Sequence, residues 1–170
     1  MVFNALKRKA IRKIVDKEVL LSVPQDYNYQ LSQVGIVLEK GDEEGLAKMV
    51  SALNANGVKT DNITVLIFDS KNSKQEQGDN FFRLRDFDSS GNMNKTQVLD
   101  FVNKPFDLLI SYYKEDSAAM LWVTSKSKAL FKTGIASVSS SVNHFNIDLH
   151  HMDGGNFIKL LFEYINIFKN

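Results

Sequence analysis

The chain has 170 residues, 44% of them hydrophobic and 24% charged, with 21 Lys and Arg against 20 Asp and Glu. A chain of this length buries about 70% of its unfolded surface, and 12 Phe with five Tyr supply ample core material, so a disordered chain is excluded. The absence of cysteine excludes disulfides, zinc–thiolate sites, iron–sulfur clusters and cysteine nucleophiles.

Charge is unevenly spread. The first twenty residues carry Lys7, Arg8, Lys9, Arg12, Lys13 and Lys17 against Asp16 and Glu18, a local +4, while the other 150 carry 15 cations against 18 anions, or −3. Val2, Phe3, Leu6, Ala10, Ile14 and Val15 recur at helical spacing, which predicts a basic amphipathic helix within an arm of residues 1–24. The arm lacks the uninterrupted apolar core of a signal peptide, and no stretch approaches the ~20 apolar residues of a membrane span. Three readings fit it: a helix laid on its own domain, a helix on an anionic membrane surface, or a contact with RNA phosphates or an acidic protein. No aromatic residue interleaves the basic cluster, so base stacking is unsupported, and no recognition of DNA sequence is expected.

Residues 25–170 read as a single domain. Gln33–Glu39 is an apolar, largely β-branched run that predicts a buried strand, and Gly41–Glu44 supplies a turn and an acidic first helical turn. Leu46, Met49, Val50 and Leu53 mark the helix, which stops near Asn56–Gly57, and Asn62–Phe68 is a second strand. Asp69–Asn80 is polar throughout and predicts a loop. Phe81, Phe82 and Leu84 read as a strand running through Arg83 and Arg85, followed by a turn at Asp88–Gly91 and a short helix that Pro105 ends. Phe106–Tyr113 predicts a central strand, a helix follows from Asp116–Ser117, Phe131–Ser137 predicts a short strand, and Phe145–Leu149 alternates as a half-buried one. An amphipathic helix over Phe157–Phe168 closes the chain. The alternation predicts an α/β three-layer, Rossmann-like sandwich with a mostly parallel sheet of five or six strands.

Several motifs bear on chemistry. The turn after the first strand, Glu39–Glu44, has one glycine and four carboxylates, which opposes a dinucleotide fingerprint, and no GxxxxGK[ST] occurs. Asp86–Gln97 has the oxygen-ligand spacing of a calcium loop, but Gln97 stands where the bidentate Glu belongs; a turn feeding a helix explains the same residues. His144, Asn146, Asp148 and His150 fall on one face of their strand, read as the solvated face of an edge strand, and His151 with Asp153, at the strand's carboxyl end, is the sharper candidate for a metal or acid–base site. Ser125–Lys128 reads as surface residues at a helix end, because a lysine base needs desolvation. No metal site and no cofactor is predicted.

The segments Lys104–Tyr113, Ser125–Ile135 and Phe145–Leu149, the closing amphipathic helix and the basic N-terminal helix together resemble an uncharacterised family of short bacterial proteins. The resemblance implies a cytoplasmic α/β protein and carries no catalytic residues to transfer. Two functions are expected from the whole. The first is a non-catalytic binding or adaptor protein that docks through Lys7, Arg8, Lys9, Arg12 and Lys13 on a larger protein complex, on an anionic membrane at its inner face, or on RNA. The second is an enzyme binding a small molecule at the carboxyl ends of the strands, where Glu39, Asp69, Tyr112, Tyr113, Lys114, Ser137 and His151 are expected. Of the adjacent tyrosines, only one is expected to face a pocket, because successive strand residues point oppositely.

Overall fold

The apolar run after Gln33 forms β1 (Val34–Glu39), buried on both faces until its last residue. The computed structural model describes residues 1–71 and 78–170. Upstream, α1 covers Val2–Val15; downstream come α2 (Glu43–Ala55), β2 (Ile63–Phe68), β3 (Phe81–Phe82), α3 (Thr96–Asn103) and β4 (Leu108–Tyr112). The chain then forms α4 (Ala118–Lys126), β5 (Phe131–Ile135), β6 (Phe145–Ile147) and α5 (Gly154–Phe168). Among the described residues these six strands make one sheet of order β3-β2-β1-β4-β5-β6, and every pairing is parallel. The chain moves outward from β1 through β2 to β3, then returns to β4 on the other side of β1. The strand order therefore reverses between β1 and β4, where open α/β sheets hold ligands outside the carboxyl ends of their strands.

Alternate residues of the central strands feed two cores, giving the three-layer, Rossmann-like architecture. Val37, Leu109 and Tyr113 pack beneath α1, α3 and α4; Ile36, Leu38, Leu108, Ile110 and Tyr112 pack beneath α2 and α5. Gly154 opens α5 where it crosses α2 so closely that a Cβ there would stand 2.1 Å from the Gly45 carbonyl oxygen.

α1 lies on its own domain, but only the far end of the stripe its apolar residues suggest, Ile14 and Val15, meets the core. Lys7, Ile11 and Val15, spaced four apart, are the buried positions, while Val2, Phe3 and Leu6 stand in solvent. Lys7 runs its aliphatic stem inward and donates from Nζ to the carbonyls of Leu84 (3.3 Å) and Phe87. Gly91, in the turn before α3, meets α1 at the backbone: its φ is +85°, and a Cβ would lie 2.8 Å from the Ile11 nitrogen.

The strand expected through Arg83 and Arg85 stops at Phe82. Asp86 accepts the Arg83 backbone N–H at 2.7 Å and Leu84–Asp86 turns as a 3-10 helix, while the Arg83 side chain swings to Asp69. The calcium-like segment Asp86–Gln97 is that turn's continuation. Asp88 accepts the backbone N–H groups of Ser90 (2.8 Å) and Asn92 (2.9 Å), contacts with Asn92 foremost in holding its carboxyl below the usual range. Of the polar loop expected over Asp69–Asn80, residues 72–77 lie outside the described residues. Among the described residues no helix is long and apolar enough to cross a membrane.

Candidate functional site

A crevice of about 420 Å³ opens at the carboxyl ends of β1 and β2, beside the reversal of strand order. Its floor is apolar, made by Phe68 at the end of β2, by Leu84, and by Met120 in the first turn of α4, all at most 7% exposed. One wall is cationic: Arg8, Lys9 and Arg12 of α1 face it. Arg12 donates from Nη2 to the Asp116 carbonyl at 2.7 Å and so ties α1 to the loop that enters α4. The crevice is lined also by Glu39 from β1 and by Glu115 and Asp116 from the β4–α4 loop. Ala118 and Ala119 also line the space, and the first N–H groups of a helix have no partner within it. The crevice thus combines cationic and acidic side chains with a buried apolar lining.

Of the residues expected at the strand ends, only Glu39 lines this crevice. Asp69 is 1% exposed, behind the floor, with Arg83 Nε at 3.0 Å and Lys40 Nζ at 3.9 Å. Tyr112 is buried on the α2–α5 side, edge-on to Phe157 with ring centroids 5.8 Å apart. Burial, aided by Asp42 and Asp153, pushes its hydroxyl up to about 12. Tyr113 is buried on the opposite face, where its hydroxyl meets Thr124 Oγ1 at 2.7 Å; burial raises it further. The two tyrosines do point oppositely, but each enters a core rather than one entering a pocket. Ser137 donates to the Lys114 carbonyl at 3.0 Å, and His151 is exposed beyond β6. Asp153 is the cap of α5, accepting the Asn156 N–H at 2.8 Å, so it is held by structure rather than paired with His151. Among the described residues no three His, Asp or Glu side chains converge where a metal ion would sit.

The five residues expected to dock are placed differently on α1. Lys7 is inside, Arg8, Lys9 and Arg12 border the crevice, and Lys13 is exposed. Sequence reading missed Ser70, Glu115 and Asp116 as crevice residues. The signal was available for two of them, since Glu115 and Asp116 sit in the turn between the most buried strand and its following helix.

A second cavity, of about 300 Å³, lies beneath the segment 18–24. It holds Lys132, 5% exposed, whose amine burial pushes down to about 8 against the opposing pull of Glu18. Nζ donates to the carbonyls of Thr124 (2.9 Å) and Ser125 (3.2 Å) at the end of α4. His144, expected on a solvated face, is instead half-buried here. Its Nδ1 accepts the Lys132 backbone N–H at 2.9 Å, which leaves Nε2 protonated to donate to the Leu21 carbonyl at 2.7 Å. Ser127, in the run expected at the surface, is 5% exposed and accepts the Ala129 N–H. In this cavity Lys132 and His144 hold backbone groups, and Glu18 pairs with Lys126.

The profile of a family of unknown function, DUF6913, matches residues 7–168, and the chain belongs to that family. No curated protein and no solved structure matches it.

Proposed function

We propose that this member of DUF6913 binds a small charged molecule in the crevice at the strand-order reversal, with an anionic group of the ligand against Arg8 and Lys9. The observation that carries the reading is the convergence of three α1 cations on a cavity at that place in the sheet. Its volume of about 420 Å³ falls within the ~300–1,000 Å³ range of small-ligand pockets. The apolar floor of Phe68, Leu84 and Met120 suits the carbon frame of such a ligand, and Glu39 and Glu115 suit its amine or hydroxyl groups. The acidic turn after β1 does not favour a dinucleotide, whose pyrophosphate needs glycine-rich backbone there. The reading assigns binding and no chemical step.

A thermal-shift screen over sugar phosphates, mononucleotides, amino acids and oxo acids tests it. A ligand at 100 times its Kd adds about 2.7 kcal/mol, which for a chain of this size is about 5–11 °C. The expected result is a shift of that order from at least one anionic compound, lost in the Arg8→Glu, Lys9→Glu double variant. A shift retained in the double variant, or no shift from any anion, refutes the reading.

A further inference from the structure

We infer that the outward face of α1 docks reversibly on an anionic lipid bilayer, independently of whatever occupies the crevice. At 100° per residue, Lys7, Ile11 and Val15 face the domain, and Val2, Leu6, Lys9 and Lys13 fall roughly opposite them. That outer face is divided along its length. Val2 and Leu6 are 76% and 61% exposed, so apolar side chains occupy its first two turns, while Phe3 stands at the side of the helix with the Lys7 ammonium 5.4 Å from its ring centroid. Lys9 and Lys13 occupy the next two turns, and the exposed Lys17 follows just past the helix end.

This division selects the occupant. A protein groove that accepts an amphipathic helix reads a continuous apolar stripe at i, i+3, i+4 and i+7, and that stripe is absent here beyond Leu6. Single-stranded nucleic acid is held by aromatic stacking among cations, and Phe3 lies ahead of the lysine row rather than within it. A bilayer surface matches both parts: Val2 and Leu6 enter the boundary of headgroups and acyl chains, while Lys13 and Lys17 lie over phosphates. The charge also matches, since the arm is +4 on a body of −3 that a negative surface repels. The anion facing the same way is Asp16 at the end of the helix; Glu18 is engaged by Lys126.

Flotation of the full chain with vesicles of phosphatidylcholine, alone or mixed with phosphatidylglycerol, decides the matter. Binding is expected on the mixed vesicles and not on phosphatidylcholine alone, and it should fall with added salt. The Lys13→Gln, Lys17→Gln variant leaves the crevice intact and should lower the partition coefficient about 25-fold, at roughly fivefold per lysine. Val2→Ser with Leu6→Ser should lower it at least ~10-fold. All four residues are exposed, so both variants should keep the parent melting temperature. Absence of binding to the mixed vesicles, equal binding to both compositions, or binding unchanged in either variant overturns the inference. So does salt-sensitive binding to an RNA homopolymer with no flotation.

Discussion

If α1 is a working part of the fold, truncating its central contact must weaken the whole molecule. Ile11 is fully buried and belongs to the cluster that includes Leu84, Phe87, Met93 and Trp122. Ile→Ala in a core costs about 2–5 kcal/mol, depending on how far the surroundings can close on the space. Here closure is obstructed, because the backbone of α1 already rests on Gly91, with the Ile11 nitrogen 2.8 Å from where a Cβ would stand. The expected loss therefore falls in the upper part of the range, about 3–5 kcal/mol, or some 6–20 °C in Tm for a chain of this size. The single tryptophan is well placed to report it. Trp122 is 5% exposed on α4, edge-on to Phe87 at 5.5 Å, and the Phe87 carbonyl is the one that Lys7 caps. Urea unfolding followed by Trp122 emission and by far-ultraviolet circular dichroism should give one coincident transition in both proteins, with a lower midpoint and unchanged slope in Ile11→Ala. An unchanged midpoint would sink the reasoning, as would an early Trp122 transition that leaves helicity elsewhere intact, because either would make α1 an appendage.

His144 should make stability fall as the solution is acidified through about pH 6.5. Burial lowers its pKa below that unfolded value, so the unfolded chain takes up the proton first; its contribution is complete above pH 6.5 and lost as pH falls through the folded value. Urea midpoints across this interval should slope in the parent and flatten in His144→Asn; equal slopes would exclude the histidine as the cause. Tyr113→Phe should cost about 1 kcal/mol by removing the contact with Thr124, whereas Tyr112→Phe should cost nothing or stabilise, since the buried Tyr112 hydroxyl has no hydrogen-bond partner among the described residues. Melting temperatures of the two variants check this, and equal losses at both positions would contradict it.

The sheet was readable because its central strands are buried on both faces. β1, β2 and β4 show as predominantly apolar runs, and helices of ordinary length separate them. The margins were less readable. β3 is two residues long because Arg83 leaves the strand direction for Asp69, a contact 14 positions away that no local pattern encodes. β6 stops at Ile147, and His144 just before it is turned inward by the Leu21 carbonyl, 123 positions distant. Strand order is also a long-range property. The reversal between β1 and β4 creates the crevice, and the expected site residues scattered because they were chosen along the carboxyl ends of all strands rather than at that one junction.

The basic arm shows why net charge could not locate the site. Lys7 and Arg8 are neighbours in the chain but stand 100° apart on the helix. One ammonium is enclosed by the carbonyls of Leu84 and Phe87, and the other side chain borders a solvent-filled crevice. Two positions further, Lys9 is at the crevice margin and Lys13 one turn later faces outward. Helical periodicity of the apolar residues would have resolved this had Ile11 been weighted above Leu6, but Lys7 defeats any rule that places lysine outside. A buried lysine is tolerated here because two backbone carbonyls accept its protons and its four-carbon stem packs as an apolar side chain would. Once that ammonium is fixed, the azimuth of every other cation on α1 is fixed with it. Arg8 and Arg12 turn toward α4, and Lys13 turns away from the domain. A substitution that rotated α1 by one position would exchange these roles without altering the charge of the arm at all.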